Sequence, residues 1–184
     1  MNRSVLTAAA FALALTACGR TELAVQPAPS ALTALGQPTT TSSTLQISGS
    51  AVYDVSGSIC PAPPSGYEDF VSYPGLVLTG SLQGCWYTKV DSSKTTPSGV
   101  YLEAGREVFI GRLNGGESGV FATTYNFESK FSGSTEIFGR CQHPLVAGSG
   151  TGGFAGATGR VDMKDIVADP SNIYYLYRGH ISLR

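Results

Sequence analysis

The sequence predicts an all-β protein, a single antiparallel β-barrel of about eight strands. Apolar and polar residues alternate with a period of two in several segments, most regularly at residues 120–131. Glycine is abundant, at 23 of 184 residues, and turn-forming residues separate the alternating segments. Beyond the N-terminus, no run of ten or more residues has helical periodicity. A barrel of about eight strands leaves no open edge, and its interior is filled by side chains or holds one small ligand.

Residues 1–17 have the features of a bacterial export signal. Arg3 supplies positive charge before the apolar residues 5–15, which are too few to span a bilayer of about 30 Å. The sequence LTACG at residues 15–19 resembles the lipobox of bacterial lipoproteins. That resemblance implies cleavage before Cys18 and acylation of its sulfur and new amine, which would anchor the protein to a membrane. An ordinary secretory signal with an incidental cysteine is the alternative.

Residues 18–43 are predicted to form a flexible tether that precedes a barrel domain at 44–184. The segment contains three prolines and a run of threonine and serine, without apolar periodicity. Gly19 occupies the position at which lipoproteins retained in the inner membrane commonly carry aspartate. We therefore expect an exported protein on the outer membrane or the cell surface.

The predicted strands of the domain follow one another at spacings typical of a barrel or sandwich. Their ranges are 44–55, 67–73, 76–90, 100–103 with 106–113, 120–131, 135–143, 160–167 and 174–183. Residues 56–66 form a loop, because prolines at that density cannot take part in a strand ladder. The break at Ala104 and Gly105 is interpreted as a bulge.

Residues 148–159, GSGTGGFAGATG, form a glycine-rich run that we expect to fold back between two strands. Phe154 is its one large side chain, so it is predicted to fill an apolar space beneath the loop. The strands on either side then become neighbours in one antiparallel sheet. The run formally matches the dinucleotide fingerprint GxGxxG, but that motif requires a following helix and a strand is predicted here.

The segment GGFAGATG at 152–159 resembles the glycine-rich signature of allene oxide cyclase-like and dirigent-like β-barrels. The resemblance covers the last third of the chain well and the middle only through strand spacing. The segments GCWY at 84–87 and GRCQHP at 139–144 are similar to parts of an uncharacterised bacterial branch of that group. The resemblance implies an eight-stranded barrel with a central cavity. Plant members act on reactive lipid epoxides or coupling phenoxy radicals, but their catalytic residues have no counterparts here, so these activities are not carried over.

Three cysteines lie in the predicted domain, and an exported domain normally forms disulfides. Cys85 and Cys141 lie in two predicted strands and are the favoured pair, which leaves Cys60 over. A Cys60–Cys85 bridge is the main alternative, and two reduced buried thiols are another.

Titratable residues near the C-terminal strands are the candidates for chemistry. They are Glu136, Arg140, His143, Asp162, Asp165 and His180. We expect Arg140 and Asp165 to form a structural salt bridge, whereas a histidine with a carboxylate across the barrel mouth would be suited to general acid–base work. No catalytic residue is assigned, because no nucleophile–base pair and no GxSxG motif is visible. No metal-ligand spacing is present and no cofactor is indicated.

Trp86, Tyr125, His143 and Tyr175 are the candidate ligand contacts, with a place in the barrel core as the alternative for the aromatics. The net charge of −1 provides no basic field for nucleic acid.

The expected function is that of a lipid-anchored envelope protein, of open oligomeric state, whose barrel binds a small apolar ligand or is structural. An isomerase or cyclase acting on a hydrophobic substrate is the alternative. A cavity lined by carboxylate or histidine beside aromatics favours the enzyme, and a solid core leaves a structural role.

Overall fold

The computed structural model describes residues 43–169 and 173–184. The predicted signal peptide, Cys18, the predicted tether up to residue 42 and residues 170–172 lie outside these ranges. The described residues form nine strands: β1 Ser43–Tyr53, β2 Leu76–Gly80, β3 Leu82–Thr95, β4 Val100–Leu113, β5 Ser118–Ser132, β6 Thr135–Pro144, β7 Thr151–Gly152, β8 Thr158–Ile166 and β9 Tyr174–Leu183. Within the same ranges, no helix has the length and apolarity needed to cross a membrane.

Eight of these strands close into an antiparallel barrel, which confirms the predicted fold class. Strands β1 to β6 neighbour one another in chain order, β6 pairs with β8, β8 with β9, and β9 returns to β1. The two-residue β7 lies outside this ring and pairs with β5. Closure pairs both sides of every strand in the ring, so the barrel has no free edge.

Several predicted boundaries are confirmed and others are wrong. The predicted range 174–183 coincides with β9, but residues 67–73 are turns and bends rather than a strand. Strand β4 runs without interruption through Ala104 and Gly105. The bulge is instead in the facing strand β3, where the register shifts between Val90 and Ser92.

The predicted strand 76–90 is in fact a tight hairpin of β2 and β3. Leu76 pairs with Trp86 and Leu78 with Gly84, so the chain reverses near Gly80, whose φ of 101° is accessible to glycine. The Tyr177 hydroxyl on β9 accepts from the Leu82 amide at 2.8 Å and donates to the Thr79 carbonyl at 3.0 Å. A side chain nearly one hundred positions away thus holds both arms of this turn.

One end of the barrel, here called the closed end, is packed solid. Phe154 from the glycine-rich run is fully buried, with its ring centroid 4.9 Å from that of Phe121 and 5.7 Å from that of Phe109. Trp86 packs against Phe121 at 5.6 Å and against Phe109 at 5.9 Å. The predicted role of Phe154 is confirmed, as is the antiparallel pairing of the strands that flank the run.

The disulfide joins Cys60 to Cys85, so the favoured Cys85–Cys141 pairing is wrong and its alternative is confirmed. The reason is the alternation along β3, which directs Trp86 inward and Cys85 outward. Cys85 packs in a small outer cluster with Cys60 from the loop that follows β1. Cys141 belongs to the inner core and has no disulfide partner among the described residues. The barrel wall therefore separates Cys141 from Cys85.

Candidate functional site

The opposite end of the barrel, here called the open end, contains a cavity of about 350 Å³. Rings at its mouth are partly exposed, Tyr73 by 38% and Phe131 by 46%. The cavity is lined by seven aromatic rings, four acidic side chains and one histidine. They are Tyr53, Tyr73, Tyr101, Tyr125, Phe127, Phe131, Tyr175, Glu103, Glu107, Glu136, Asp165 and His143. None of the described lining residues is a lysine or an arginine.

Glu103 of β4 is the acceptor for three tyrosine hydroxyls. Tyr73 and Tyr101 donate to its Oε2 at 2.7 and 2.6 Å, and Tyr125 donates to its Oε1 at 2.7 Å. Burial, followed by the hydrogen bond to Glu103, raises the pKa of the Tyr73 and Tyr125 hydroxyls. These three phenols therefore stay protonated and serve as donors to the carboxylate.

Glu107, four residues further along β4, holds His143 of β6. Its Oε2 lies 2.5 Å from His143 Nδ1, and both side chains are almost fully buried. Thr88 donates to the Glu107 Oε1 at 3.1 Å, and Thr123 donates to the Oε2 at 3.2 Å. The hydrogen bond to the Glu107 carboxylate uses His143 Nδ1, so the other ring nitrogen, Nε2, takes no part in it. Nε2 is buried and has no hydrogen-bond partner in the described part of the chain.

Glu136 of β6 and Asp165 of β8 form a second acidic pair in the cavity wall. Ser129 donates to Glu136 Oε1 at 2.7 Å, and the two carboxyl groups are hydrogen-bonded to each other. Glycine at position 139 makes room for them, because a Cβ there would come within 2.3 Å of Asp165 Oδ2 and 2.4 Å of Glu136 Oε1. Burial and the neighbouring Glu136 raise the pKa of Asp165 to about 8. Asp165 is therefore protonated at neutral pH and shares its proton with Glu136.

Tyr53, Tyr175 and Cys141 complete the wall of the cavity. The rings of Tyr53 and Tyr175 meet edge to face at 5.5 Å, and their hydroxyls are hydrogen-bonded to each other. Burial raises the pKa of Tyr175 to about 12 and also raises the pKa of the Cys141 thiol. Cys141 is therefore an inert apolar lining residue rather than a reactive thiolate.

The structure brings three of the four predicted ligand contacts together in this cavity. Tyr125, His143 and Tyr175 line it, whereas Trp86 lies in the solid core, with its ring nearly perpendicular to that of His143 at a centroid distance of 5.3 Å. Trp86 is fully buried, so the alternative of a core position is the correct one for it.

Among the titratable candidates, His143, Glu136 and Asp165 line the cavity and the others do not. The expected Arg140–Asp165 salt bridge is wrong, because Arg140 points outward and its guanidinium lies 2.9 Å from Glu128. Asp165 points inward from β8. His180 is exposed, and Asp162 pairs with Arg160 at 2.8 Å on the outer face.

Sequence reasoning missed the two glutamates of β4. Glu103 and Glu107 are in phase with Phe109 and Leu113, which identifies all four as inward-facing once β4 is taken as one strand. The predicted break at Ala104 and Gly105 hid this phase. Continuous pairing of β4 with β5 from Val100 to Arg112 is the feature that would have revealed it.

The arrangement combines proton donors and acceptors with an apolar, aromatic enclosure. A protonated Asp165 beside Glu136 is suited to donate a proton, and a histidine oriented by Glu107 is suited to accept one. The aromatic rings provide surface for an apolar molecule. In the described ranges, no three His, Cys, Asp or Glu side chains are grouped closely enough to hold a metal ion.

Comparison of the chain with models of protein families, with curated proteins and with solved structures gave no match.

Proposed function

We propose that this protein is a lipid-anchored envelope protein whose barrel holds a small, largely hydrophobic molecule at its open end. The observation that carries the proposal is the contrast between the two ends of one barrel. Phe109, Phe121 and Phe154 fill the closed end, whereas the open end has a cavity of about 350 Å³. That volume falls within the range of roughly 300–1,000 Å³ typical of small-molecule sites. An interior of this kind is what an eight-stranded barrel provides for one ligand.

The proposal also places the chain with the allene oxide cyclase-like barrels, on the strength of the glycine-rich run and the eight-stranded topology. The run at 152–159 leads into β8, and β8 pairs with β6 in the eight-stranded ring. The resemblance supplies no substrate, and the ligand is argued from the cavity alone.

The test of the cavity is native mass spectrometry of the full chain extracted in detergent. We expect a bound small molecule to appear as a mass increment that is lost when the protein is denatured. Cys141→Phe fills part of the cavity and should abolish the increment, because Cys141 lines it. Gln142→Phe is the matched control, since Gln142 is exposed on the outer face of the same strand. Retention of the increment in Cys141→Phe, with its fold intact by circular dichroism, would contradict the proposal.

The lipid anchor is tested by Cys18→Ser. Without the acylated sulfur the protein should move from the membrane fraction to the soluble fraction, because two or three acyl chains supply stable binding. Radiolabelled palmitate should label the unaltered chain and not the variant. An unchanged membrane fraction would mean that Cys18 is not the anchor. Gly19 supports the outer membrane or cell surface as the destination.

An isomerase or cyclase acting on a hydrophobic substrate is the second candidate, and it is favoured by the carboxyl groups and the histidine that lie beside aromatic rings in the cavity. Glu107 orients His143 through Nδ1 and leaves Nε2 without a partner, which is the arrangement of a histidine that acts as a general base. Asp165, with its pKa raised to about 8, supplies a matching acid in the same cavity. His143→Gln should then remove any conversion of the bound molecule, measured by chromatography of the ligand extracted from the variant and from the unaltered chain before and after incubation.

A further inference from the structure

The polar groups that line the cavity are mainly acidic side chains, which distinguishes it from an ordinary apolar pocket. Four carboxyl groups and a histidine face it, with no lysine or arginine among the described lining residues. Most donors nearby are already used within the wall: three tyrosines donate to Glu103, two threonines to Glu107 and Ser129 to Glu136. The hydroxyls of Tyr53 and Tyr175 are bonded to each other, and the carboxyl group of Asp165 is bonded to that of Glu136. Few free hydrogen-bond donors therefore remain in the cavity for a ligand that carries only acceptors.

The rings strengthen the same preference. An aromatic face carries negative electrostatic potential, and it attracts cations within about 6 Å of the ring centroid. Five tyrosines and two phenylalanines surround the cavity, and the hydroxyls of three of these tyrosines are bound to the buried carboxylate of Glu103. Carboxylates placed among aromatic rings in a partly desolvated space form the environment in which an organic cation is stabilised most.

His143 adds an independent indication of what is bound. The side chain is 2% exposed, it lines the cavity, and its Nε2 has no partner in the described residues. In the tautomer that carries its proton on Nδ1 and donates it to Glu107, the Nε2 atom is a hydrogen-bond acceptor. A buried acceptor without a partner costs free energy, and an ammonium N–H is a group that would satisfy it.

From these three features we infer that the cavity binds a protonated amine with an apolar or aromatic body. The ammonium group lies among Glu103, Glu107 and the tyrosine rings, and the apolar body occupies the rest of the cavity. The inference rests on the proposed small-molecule function and specifies the chemical class of its ligand. The absence of close metal-ligand grouping among the described residues favours an organic cation over a metal cation.

The test compares three probes of nearly equal size and different charge, titrated into the full chain in detergent by calorimetry at pH 7. The probes are phenethylamine, 2-phenylethanol and phenylacetate, which are a cation, a neutral molecule and an anion. We expect phenethylamine to bind at least about tenfold more tightly than 2-phenylethanol, and phenylacetate to bind more weakly than either.

Glu103→Gln should reduce the affinity for phenethylamine about tenfold and leave that for 2-phenylethanol nearly unchanged. Glu128→Gln is the matched control, because Glu128 lies on the next strand and pairs outward with Arg140. It should change neither affinity. The comparison of probes in the unaltered chain does not depend on the folding of either variant.

Equal or tighter binding of 2-phenylethanol would overturn the amine inference and leave the small-molecule proposal standing. Failure of all three probes to bind would also overturn it. The mass spectrum of the extracted chain then decides the broader proposal separately. A co-purified neutral molecule that is lost in Cys141→Phe supports the cavity function. A spectrum without any bound molecule, or a mass increment that persists in Cys141→Phe, contradicts it.

Discussion

Replacing Phe154 with alanine is expected to destabilise the barrel by about 3–5 kcal/mol, the usual cost of deleting a fully buried phenylalanine ring. The ring packs against both Phe109 and Phe121, so its loss leaves a cavity in the closed end of the barrel. Urea unfolding followed by circular dichroism would measure the change. In thermal unfolding, the loss corresponds to a decrease in Tm of about 10 °C or more.

Phe131→Ala is the control for this experiment. It removes the same group from a side chain that is 46% exposed at the cavity mouth, so its cost should stay near or below about 1 kcal/mol. Equal effects of the two substitutions would show that Phe154 is not the centre of the closed end.

Replacing Asp165 with asparagine is expected to stabilise the protein increasingly as pH rises from about 4 to about 8. The pKa of Asp165 is raised to about 8 in the folded protein by burial and by Glu136, whereas an unfolded aspartate titrates near 4. Between these values the folded protein holds a proton that the unfolded chain has released, so its stability falls as pH rises and levels off above pH 8. The total change is at most about 5 kcal/mol.

Asparagine has no proton to lose, and its amide can donate to Glu136 as the protonated carboxyl does. The quantity to measure is the difference in unfolding free energy between the variant and the unaltered chain at pH 4, 6 and 8. Asp162→Asn is the control, since Asp162 lies on the same strand and pairs with Arg160 on the outside. A difference for Asp165→Asn that does not vary with pH would show that Asp165 is ionised in the folded protein.

The alternation of side chains was sufficient to predict the fold class and most strands, but not the hairpin of β2 and β3. Leu76, Leu78, Leu82 and Trp86 all face inward, two on each arm of the hairpin. The inward-facing residues keep the same alternation on both sides of the turn near Gly80. A straight strand and a tight hairpin therefore predict the same pattern of apolar residues. The Tyr177 hydroxyl that holds this turn is distant in sequence, and no local pattern contains that information.

The candidate site was predictable to the extent that its residues lie in clearly alternating strands. Tyr125, His143 and Tyr175 do, and they were identified. Glu103 and Glu107 were not, because the sequence distinguishes a buried glutamate from an exposed one only after the inward face of its strand has been identified. The partner of Cys85 was predictable from the alternation of β3. Trp86 faces inward, so its neighbour Cys85 faces outward and cannot reach Cys141 in the inner core.

The two described ends of the barrel's ring of strands meet on the same side of the molecule. Ser43 at the start of β1 is paired with Leu183 at the end of β9, and the neighbouring Ser182 is paired with Thr158 of the glycine-rich run that carries Phe154. A support or reporter fused before Ser43 or after Arg184 would consequently leave the entrance to the cavity unobstructed. Protein immobilised in this way is suited to testing the proposed ligand binding from solution.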